Sequence, residues 1–370
     1  MNVPKLRFKE FNDGWQKKEL REISQIYDGT HQTPNYIQNG VPFVSVEDIS
    51  DIEKTNKFIS KNAFEKEFKI KPQVNDILMT RITAGIIGAT AIVKNNNPLG
   101  YYVSLALIRK NKIIDVNYLN QYINCFKFKK ELNKRIIHVA FPKKINLGDI
   151  GKCKISITSI NEQQKIGKML NILDRKIELQ TKKIEDLKLF KLSKYSLVFS
   201  NSNNKIKLSD ICIIEKGKQI NSDLLIEKGN YYMLNGGILP SGYLNEYNTN
   251  ENTITISEGG NSCGHINFNK TKFWCGGHCY KIISSSVNTS YLYHLLKHNE
   301  KIIMNLRVGS GLPNIQKKDL EALKLSIHKN DEQLKIGILF DTFDKKIYFE
   351  NNKLNKLIEL KKGLMQNMFV

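Results

Sequence analysis

The fold of this chain is decided by two stretches, NEQQKIGKMLNILDRKIELQTKKIEDLKLFKLSKYSLVFS (residues 161–200) and DEQLKIGILFDTFDKKIYFENNKLNKLIELKKGLMQNMFV (residues 331–370). They align without a gap, and neither contains proline, so each is predicted to form one long helix. Identical residues at matching positions include Glu162/Glu332, Gln163/Gln333, Ile166/Ile336, Gly167/Gly337, Asp174/Asp344 and Ile177/Ile347. The repeat predicts two similar halves, each made of a globular region followed by a helix.

Both copies carry an apolar stripe whose members are spaced alternately by four and three residues, which is typical of a coiled-coil seam. A helix of this length spans roughly 60 Å, which exceeds the width of a small domain, so its stripe needs a partner helix. We expect the two copies to pair with each other; the alternative is that each packs only on its own globular region. The stripe residues expected to pair are Ile166, Leu170, Leu173, Ile177, Ile184 and Leu187 with Ile336, Phe340, Phe343, Ile347, Leu354 and Leu357.

The repeat divides the chain into a first globular domain (1–160), a central helix (161–200), a second globular domain (201–330) and a C-terminal helix (331–370). Inside the globular regions, short β-type runs such as VPFVSV (41–46) and NTITIS (252–257) alternate with turns, and helical patches follow near 117–134 and 289–305. This pattern predicts an α+β fold with two similar domains. The two long helices between them are expected to pair as an antiparallel coiled coil with a pseudo-two-fold repeat.

The formal net charge of +21 indicates a polyanionic partner, most often nucleic acid, although a generally basic proteome would give the same excess. The charge is spread over both halves and forms no basic tail. The sequence begins without a signal-peptide pattern and has no apolar run long enough to span a bilayer, so we expect a cytoplasmic protein.

The sequence carries none of three common enzyme signatures. It lacks the GxxxxGK[ST] phosphate loop, a strand-linked GxGxxG and the Asn/Asp-Pro-Pro-aromatic motif of amino methyltransferases, so no catalytic residue is expected. One segment, SCGHINFNKTKFWCGGHCY (262–280), holds three cysteines and two histidines, but their spacing does not form two zinc knuckles. We interpret it as two strands joined by a turn with Trp274 in the core, and expect no metal, while leaving open a zinc site made by Cys263, His265, Cys275, His278 and Cys279.

Several motifs in a fixed order resemble the specificity subunit of type I restriction–modification systems. They are VPKLRFKEF (3–11) followed by Trp15 and Leu20, TPNYIQNGVPFVSVEDI (33–49), NDILMTRITAGIIGATAIV (75–93), ISEGGNSCGHINFNKTKFWCGGHCYKI (256–282) and the two E-Q-x-K-I segments that begin the long helices. The resemblance covers essentially the whole chain. One departure is that the proline often found ahead of the E-Q pair in this family is missing here.

The resemblance implies a non-catalytic DNA reader. Each target-recognition domain would read one half of a bipartite site in double-stranded DNA, and the paired helices would set the gap. The chain would dock two modification (methyltransferase) subunits, which bring S-adenosylmethionine and methylate adenine, and restriction (endonuclease and translocase) subunits would join them. No cofactor is expected on this chain itself. The alternative is a scaffold or decoy that binds modification subunits without reading sequence.

For DNA contacts we favour loops rich in amide, hydroxyl and guanidinium groups, because arginine suits guanine and Asn or Gln suits adenine by bidentate hydrogen bonding. The alternative for each residue is a hydrogen bond that stabilises its own loop. The candidates are Thr30, His31, Gln32, Asn35, Tyr36, Arg81 and Thr83 in the first half and Lys218, Gln219, Asn235, Asn261, His265, Arg307 and Ser310 in the second. A basic stretch with Lys127, Lys129, Lys130, Lys134 and Arg135 is a candidate phosphate-binding face or, equally, a solvated helix surface.

Overall fold

The computed structural model describes residues 3–200, 204–309 and 311–370. The chain forms two compact units. Unit 1 is the chain up to Gln180 together with Lys353–Val370, and unit 2 is Thr181–Asn352. Each unit therefore contains an α+β domain and a part of both long helices, and the segment limits predicted from the repeat stay predictions. Of the helices in the described ranges, none combines the length and the hydropathy needed to cross a membrane.

Unit 1 contains short strands, short helices and two 3-10 turns (Val46–Asp48 and Ile52–Lys54). Its strands are β1 (Gln16–Glu19), β2 (Ser24–Asp28), β3 (Tyr36–Ile37), β4 (Val41–Val44), β5 (Phe58–Ile59), β6 (Ile77–Thr80), β7 (Ile82–Thr83), β8 (Thr90–Ile92), β9 (Gly100–Tyr101), β10 (Leu105–Lys110), β11 (Lys143–Lys144) and β12 (Lys154–Ile157). Its short helices are α1 (Leu20–Ile23), α2 (Lys61–Glu67), α3 (Val116–Ile123), α4 (Phe126–Asn133) and α5 (Leu147–Gly151).

The central sheet of unit 1 has the strand order β2-β10-β6-β8 and separates two cores. Alternate residues of a strand point to opposite faces, and the sequence of β10 uses both faces. Ala106 and Ile108 lie in the core that contains α3 and α4, whereas Leu105 and Leu107 lie in the core beneath the second sheet. That second sheet has the order β3-β5-β4-β9. Burial on both faces explains why β10 reads as a continuous apolar run.

The long helix α6 (Ile160–Phe199) leads along the chain into unit 2, which ends in part of the long helix α11 (Asn330–Met368). Unit 2 also has one 3-10 turn, Ser222–Leu224. Its strands are β13 (Asn204–Lys207), β14 (Cys212–Lys216), β15 (Tyr231–Leu234), β16 (Gly242–Leu244), β17 (Thr253–Ser257), β18 (Ile266–Asn269), β19 (Trp274–Cys275), β20 (Cys279–Ser285) and β21 (Lys324–Ile327). Its short helices are α7 (Leu208–Ile211), α8 (Thr289–His298), α9 (Glu300–Met304) and α10 (Lys317–Ala322).

The central sheet of unit 2, β14-β20-β17-β18, repeats the order of the central sheet of unit 1. The registers also correspond: Asp28 lies opposite Ala106 in unit 1, and Lys216 lies opposite Tyr280 in unit 2. Unit 2 differs in its second sheet, which has three strands in the order β16-β15-β19. The predicted α+β fold with two similar domains is confirmed.

The two long helices run antiparallel, as predicted, and two ion pairs in unit 2 show the direction. In unit 1, Lys361 Nζ lies 2.5 Å from Asp174 Oδ1, and Leu357 packs in the core that holds Leu170 and Leu173. In unit 2, Lys191 Nζ lies 2.5 Å from Asp344 Oδ1, and Lys183 Nζ lies 2.7 Å from the buried Glu350 Oε1. Partner numbers fall along α11 as they rise along α6, which is the signature of an antiparallel pair.

Every predicted stripe residue is buried or half-buried. The deepest contact in unit 2 joins Tyr195 and Phe340, whose ring centroids are 4.3 Å apart. Phe190 and Phe343 meet edge to face at 5.6 Å. The fully buried stripe members also pack on the globular domains: Leu170 shares a core with Tyr118 of α3. The helices therefore both pair with each other and close the cores of their own units.

The start of each long helix is fitted against the start of a short helix, which explains two of the repeated residues. A Cβ on Gly167 would lie 2.7 Å from the backbone nitrogen of Tyr118, and one on Gly337 would lie 3.1 Å from that of Tyr291. Both glycines are therefore sites of close packing between a long and a short helix. One helical turn before Gly167, Gln163 Oε1 accepts a hydrogen bond from the Asp115 N–H at 3.0 Å. Its Nε2 donates to the Thr158 carbonyl at 2.7 Å, so side-chain bonds hold the strand-to-helix turn that lacks the family's proline.

Candidate nucleic-acid interface

The first set of predicted DNA-contacting loops meets at one end of the central sheet of unit 1. Asp28 ends β2, and its Oδ1 accepts a hydrogen bond from Arg81 Nη2 at 2.9 Å. Its Oδ2 lies 2.8 Å from Nε2 of the exposed His31. Thr30, between them in sequence, donates from Oγ1 to Glu67 Oε2 at 3.2 Å. Gln32 and Asn35 follow on the same loop, Tyr36 begins β3, and all three are exposed.

A second loop reaches this end of the sheet from the far side of the domain. Strand β11 pairs with β7, so that Lys143 lies opposite Thr83, and the Ile145 N–H donates to the Arg81 carbonyl at 2.9 Å. Lys143 and Lys144 are both exposed. We call the surface made by residues 28–36, 81–83 and 143–144 edge 1. The lysine pair was not singled out from the sequence, where only its position just before a buried isoleucine could have suggested it.

The setting of Arg81 differs from the exposed loop expected for it. The residue is 7% exposed, and besides Asp28 its guanidinium donates from Nη1 to the Ile145 carbonyl at 3.3 Å. These bonds tie the loop after β2 to the segment after β11. Arg81 therefore positions the loops of edge 1, and its assignment as a base contact stays a prediction.

The basic stretch is only partly available to phosphate. Lys134 and Arg135 both bind Glu131, at 2.8 and 2.9 Å, and Lys127 Nζ donates to the Phe369 carbonyl at 2.7 Å. Burial lowers the pKa of Lys129 to about 8, and its ammonium group donates to the Gly88 carbonyl. Lys130 is exposed and lines one groove, of about 560 Å³, with His138 and Lys143. Of the predicted face, Lys130 is thus the residue that joins edge 1.

The second set of predicted residues meets at the equivalent end of unit 2. Lys216 ends β14 and binds Glu258, with Nζ 2.6 Å from Oε1, and the Glu258 N–H donates to the His278 carbonyl at 2.9 Å. Asn235 Oδ1 in turn accepts from the His278 N–H at 3.0 Å. The predicted residues Lys218, Gln219, Asn261 and Arg307 are exposed around this point. We call the surface made by residues 216–219, 235–237, 258–261, 307–309 and 311–314 edge 2.

The remaining two predicted residues of this half differ from the others. His265 is half-buried, with Nδ1 3.5 Å from Glu300 Oε2, and burial lowers its pKa. Its side chain faces helix α9, so it is placed to hold β18 against that helix. Ser310 lies outside the described residues. Among the described residues around it, Val308 and Asn314 form a bridge.

The two edges carry the same ion pair with its charges exchanged. Asp28 and Lys216 hold equivalent places at the end of their strands, as do Arg81 and Glu258 after β6 and β17. Unit 1 therefore pairs acid with base where unit 2 pairs base with acid. In unit 2 the Ile315 carbonyl, which corresponds to the carbonyl that Arg81 binds, accepts instead from the Tyr280 hydroxyl at 3.0 Å. The two units share the arrangement of their strands, but the charges of the side chains that follow these strands are exchanged.

The cysteine- and histidine-containing segment has a packing role. The segment holds three strands instead of the two predicted: β18, β19 and the start of β20, of which β19 lies in a different sheet. His278, between β19 and β20, is exposed. The prediction that Trp274 lies in the core is wrong: it is half-buried, its indole N–H donates to the Lys218 carbonyl at 2.9 Å, and Phe273 takes the fully buried place. Cys263, Cys275 and Cys279 are buried free thiols. Within the described residues, no three His, Cys, Asp or Glu side chains are grouped to hold a metal ion.

Several known proteins and one family model are similar to this chain. A family model described as the type I restriction modification DNA specificity domain matches residues 12–189 and again residues 201–360. A Mycoplasma pneumoniae protein named as a type I specificity subunit is 34% identical over 45% of this chain and 44% of its own length, so the chain spans about half of that relative. A Methanocaldococcus jannaschii protein named as a type I restriction enzyme specificity subunit is 24% identical over 98% of this chain and 95% of its own.

Among solved structures, the type I restriction–modification S subunit from M. genitalium matches with a TM-score of 0.72 and 18% identity, over 100% of this chain and 99% of that one. A chain from a study of type I complex assembly and conformational transition matches with a TM-score of 0.56. These likenesses concern the fold. The relatives are named as specificity subunits, which agrees with the expectation of a non-catalytic DNA-recognition chain. Because the two family matches cover most of the sequence, the chain belongs to the family of type I restriction–modification DNA specificity domains and carries that domain twice.

Proposed function

We propose that this chain is the DNA-specificity subunit of a type I restriction–modification complex. Each unit reads one half of a bipartite site in double-stranded DNA, and the paired helices set the gap between the halves. The chain docks two modification subunits, which carry S-adenosylmethionine and methylate adenine, and restriction subunits complete the complex. The chain itself binds no cofactor.

The observation that carries this proposal is the equivalence of edge 1 and edge 2. The same strand order brings two polar edges to equivalent places, but the exposed side chains differ: His31, Gln32 and Asn35 at one, Lys218 and Asn261 at the other. A shared framework with different side chains is what reading two unlike half-sites requires, because base identity is read by the donor and acceptor pattern of individual side chains.

The charge distribution supplies the sequence-independent part of binding. Exposed lysines such as Lys130, Lys143 and Lys144 beside edge 1 suit phosphate contacts, which give affinity and a strong dependence on salt. Asn and Gln side chains suit adenine. We therefore assign the lysines to positioning on the duplex and the amides of the loop after β2 to base contacts.

Co-expression with a modification subunit and mapping of methylated adenine tests the proposal. We expect methylation at one bipartite motif. Exchanging Gln32 and Asn35 for alanine should alter the first half of the motif and leave the second half and the gap unchanged, since both side chains are exposed and the fold does not depend on them. A matched control, Asn261→Ala at edge 2, should alter the other half. Methylation that ignores sequence would contradict the proposal, and a decoy would give no methylation at all.

A further inference from the structure

An apolar patch lies beside edge 1 at the tip of a short hairpin. The hairpin is closed by the Ile137 N–H, which donates to the Lys144 carbonyl at 2.7 Å, and its tip carries Val139 and Phe141, which are 98% and 92% exposed. Ile86 and Phe126, 75% and 74% exposed, line the groove at its base together with His138 and Lys143. We call these four apolar residues, Ile86, Phe126, Val139 and Phe141, the tip patch.

Single exposed apolar side chains are common and need no explanation, but two almost fully exposed ones on one hairpin, next to a groove lined by two more, indicate an interaction surface. Folding gains nothing from Val139 and Phe141, which stay in water. The tip patch therefore needs an occupant outside the fold of unit 1.

We propose that the tip patch contacts the bases of the first half-site, with Val139 and Phe141 packing on thymine methyl groups. This role rests on the proposed function, and the four residues are not among the DNA-contacting candidates predicted from the sequence. The C5-methyl of thymine is the apolar group that a base pair presents in the major groove, and apolar side chains distinguish it from cytosine.

Two observations favour DNA over a protein partner. First, Lys130 and Lys143 border the groove and Lys144 closes the hairpin, while the one acidic side chain on α4, Glu131, is bound to Lys134 and Arg135. A polyanion suits that rim. Second, the hairpin is continuous with edge 1, because β11 is its returning strand and pairs with β7 at Thr83. A duplex that reaches edge 1 meets the tip patch.

At the corresponding place in unit 2, Val308 and Asn314 form a bridge, and the Gly260 N–H donates to the Pro313 carbonyl at 3.0 Å, within edge 2. Leu312, between Val308 and Asn314 in sequence, is 86% exposed. A single aliphatic side chain here, against Val139 and Phe141 in unit 1, predicts that the two half-sites differ in the number of thymines they require.

Selection from a random duplex library, with the chain bound to its modification subunits, tests the proposal. The wild-type complex should return a bipartite motif. The variant Val139→Ser with Phe141→Ser should lose the preference for thymine at one or two positions of the first half only. Its affinity for the wild-type motif should fall on the order of five- to tenfold per lost position, the lower end of the effect of one mismatched base pair. Replacing those thymines by uracil should weaken the wild-type complex similarly and leave the variant unaffected.

Matched controls separate the possible failures. Leu312→Ser should act on the second half alone, and Ile113→Ser, at an exposed apolar residue of unit 1 outside the tip patch, should change nothing. An unchanged motif with the double variant would overturn the inference, as would loss of assembly with modification subunits at an unchanged motif, which would make the tip patch a protein-docking surface. Failure of the wild-type complex to select any bipartite motif would instead overturn the proposed function.

Discussion

The exchanged ion pair gives a sharp test of the equivalence between the units. Unit 1 carries Asp28 with Arg81, and unit 2 carries Lys216 with Glu258 at the same places. The variant Arg81→Glu places two carboxylates together and removes the donor to the Ile145 carbonyl. The double variant Asp28→Lys with Arg81→Glu gives unit 1 the polarity that unit 2 has naturally, so it should recover most of the loss.

The structure sets the magnitudes. The Arg81 side chain is 9% exposed and Asp28 is 28% exposed, so solvent screens the pair only in part. Breaking such a pair from one side should lower the free energy of unfolding by about 2–3 kcal/mol, somewhat less than for a fully buried pair. The double variant should stay about 1 kcal/mol below wild type, because the Ile145 carbonyl loses its donor and unit 1 has alanine where Tyr280 serves unit 2.

The two tryptophans of the chain make the assay specific. Trp15 lies in unit 1 and Trp274 in unit 2. In a Trp274→Phe background, the fluorescence of Trp15 during urea unfolding reports unit 1. The midpoint should fall for the single variant and recover for the double variant, with the slope unchanged because the surface exposed on unfolding is unchanged. The exchange Lys216→Asp with Glu258→Arg should leave the Trp15 transition in place.

Two outcomes would refute the reasoning. If the single variant unfolds at the wild-type midpoint, the pair does not stabilise unit 1. If the loss of unfolding free energy in the double variant equals the sum of the losses in Asp28→Lys and Arg81→Glu, the two residues are not coupled. The exchanged ion pairs of the two edges would then not make equivalent contributions to stability.

Three further tests address the helices and their packing. Phe340→Ala should destabilise unit 2 by about 3–5 kcal/mol because the ring is fully buried. Phe190 is half-exposed, so Phe190→Ala should cost much less. Similar urea midpoints for the two variants would argue against a central role for Phe340 in the packing of the two helices. Gly167→Ala should lower the melting temperature because its Cβ would lie 2.7 Å from the backbone nitrogen of Tyr118. Gly363→Ala, where no atom lies within 4 Å of the new Cβ, should stabilise the helix by about 1 kcal/mol. A shift of the same sign in both variants would contradict the close packing of Gly167 on α3. Burial lowers the pKa of His294, so the unfolded chain binds the proton more readily than the folded chain. The free energy of unfolding of unit 2 should therefore be highest above the ordinary histidine pKa of about 6.5 and fall as the pH drops below it. His294→Gln should flatten that pH dependence in urea titrations from pH 7.5 to 5.5.

The long helices were predictable because their apolar stripe has a regular period over forty residues, and period is a local property of the sequence. The antiparallel direction followed from the repeat, since two similar halves on one chain suggest a two-fold relation. The glycine at the same place in both copies is explained only by the structure, because each lies against the backbone at the start of a short helix.

The candidate interface was predictable as a set of loops and less so as individual side chains. Polar residues after buried strands indicated where the loops are, but not that Asp28 would hold Arg81 inward, because that contact joins residues far apart in sequence. Phe273 and Trp274 show the same limit: both are aromatic, and only the pairing of β19 with β15 decides which one faces the core. Lys143 was missed because two lysines in a loop look like any solvated surface until their strand partner is known.

The division of the chain between the units has a consequence for its synthesis. Unit 2 is one uninterrupted stretch, whereas Met368 and Phe369 close the core of unit 1 against Tyr118 and Tyr122, which were translated some 250 residues earlier. A ribosome delivers residues in order, so the earlier unit cannot mature until residues 353–370 have been made. A chain truncated after Asn352 should therefore display a protease-resistant second half and a digestible first half, the reverse of the usual order in which the N-terminal domain folds first.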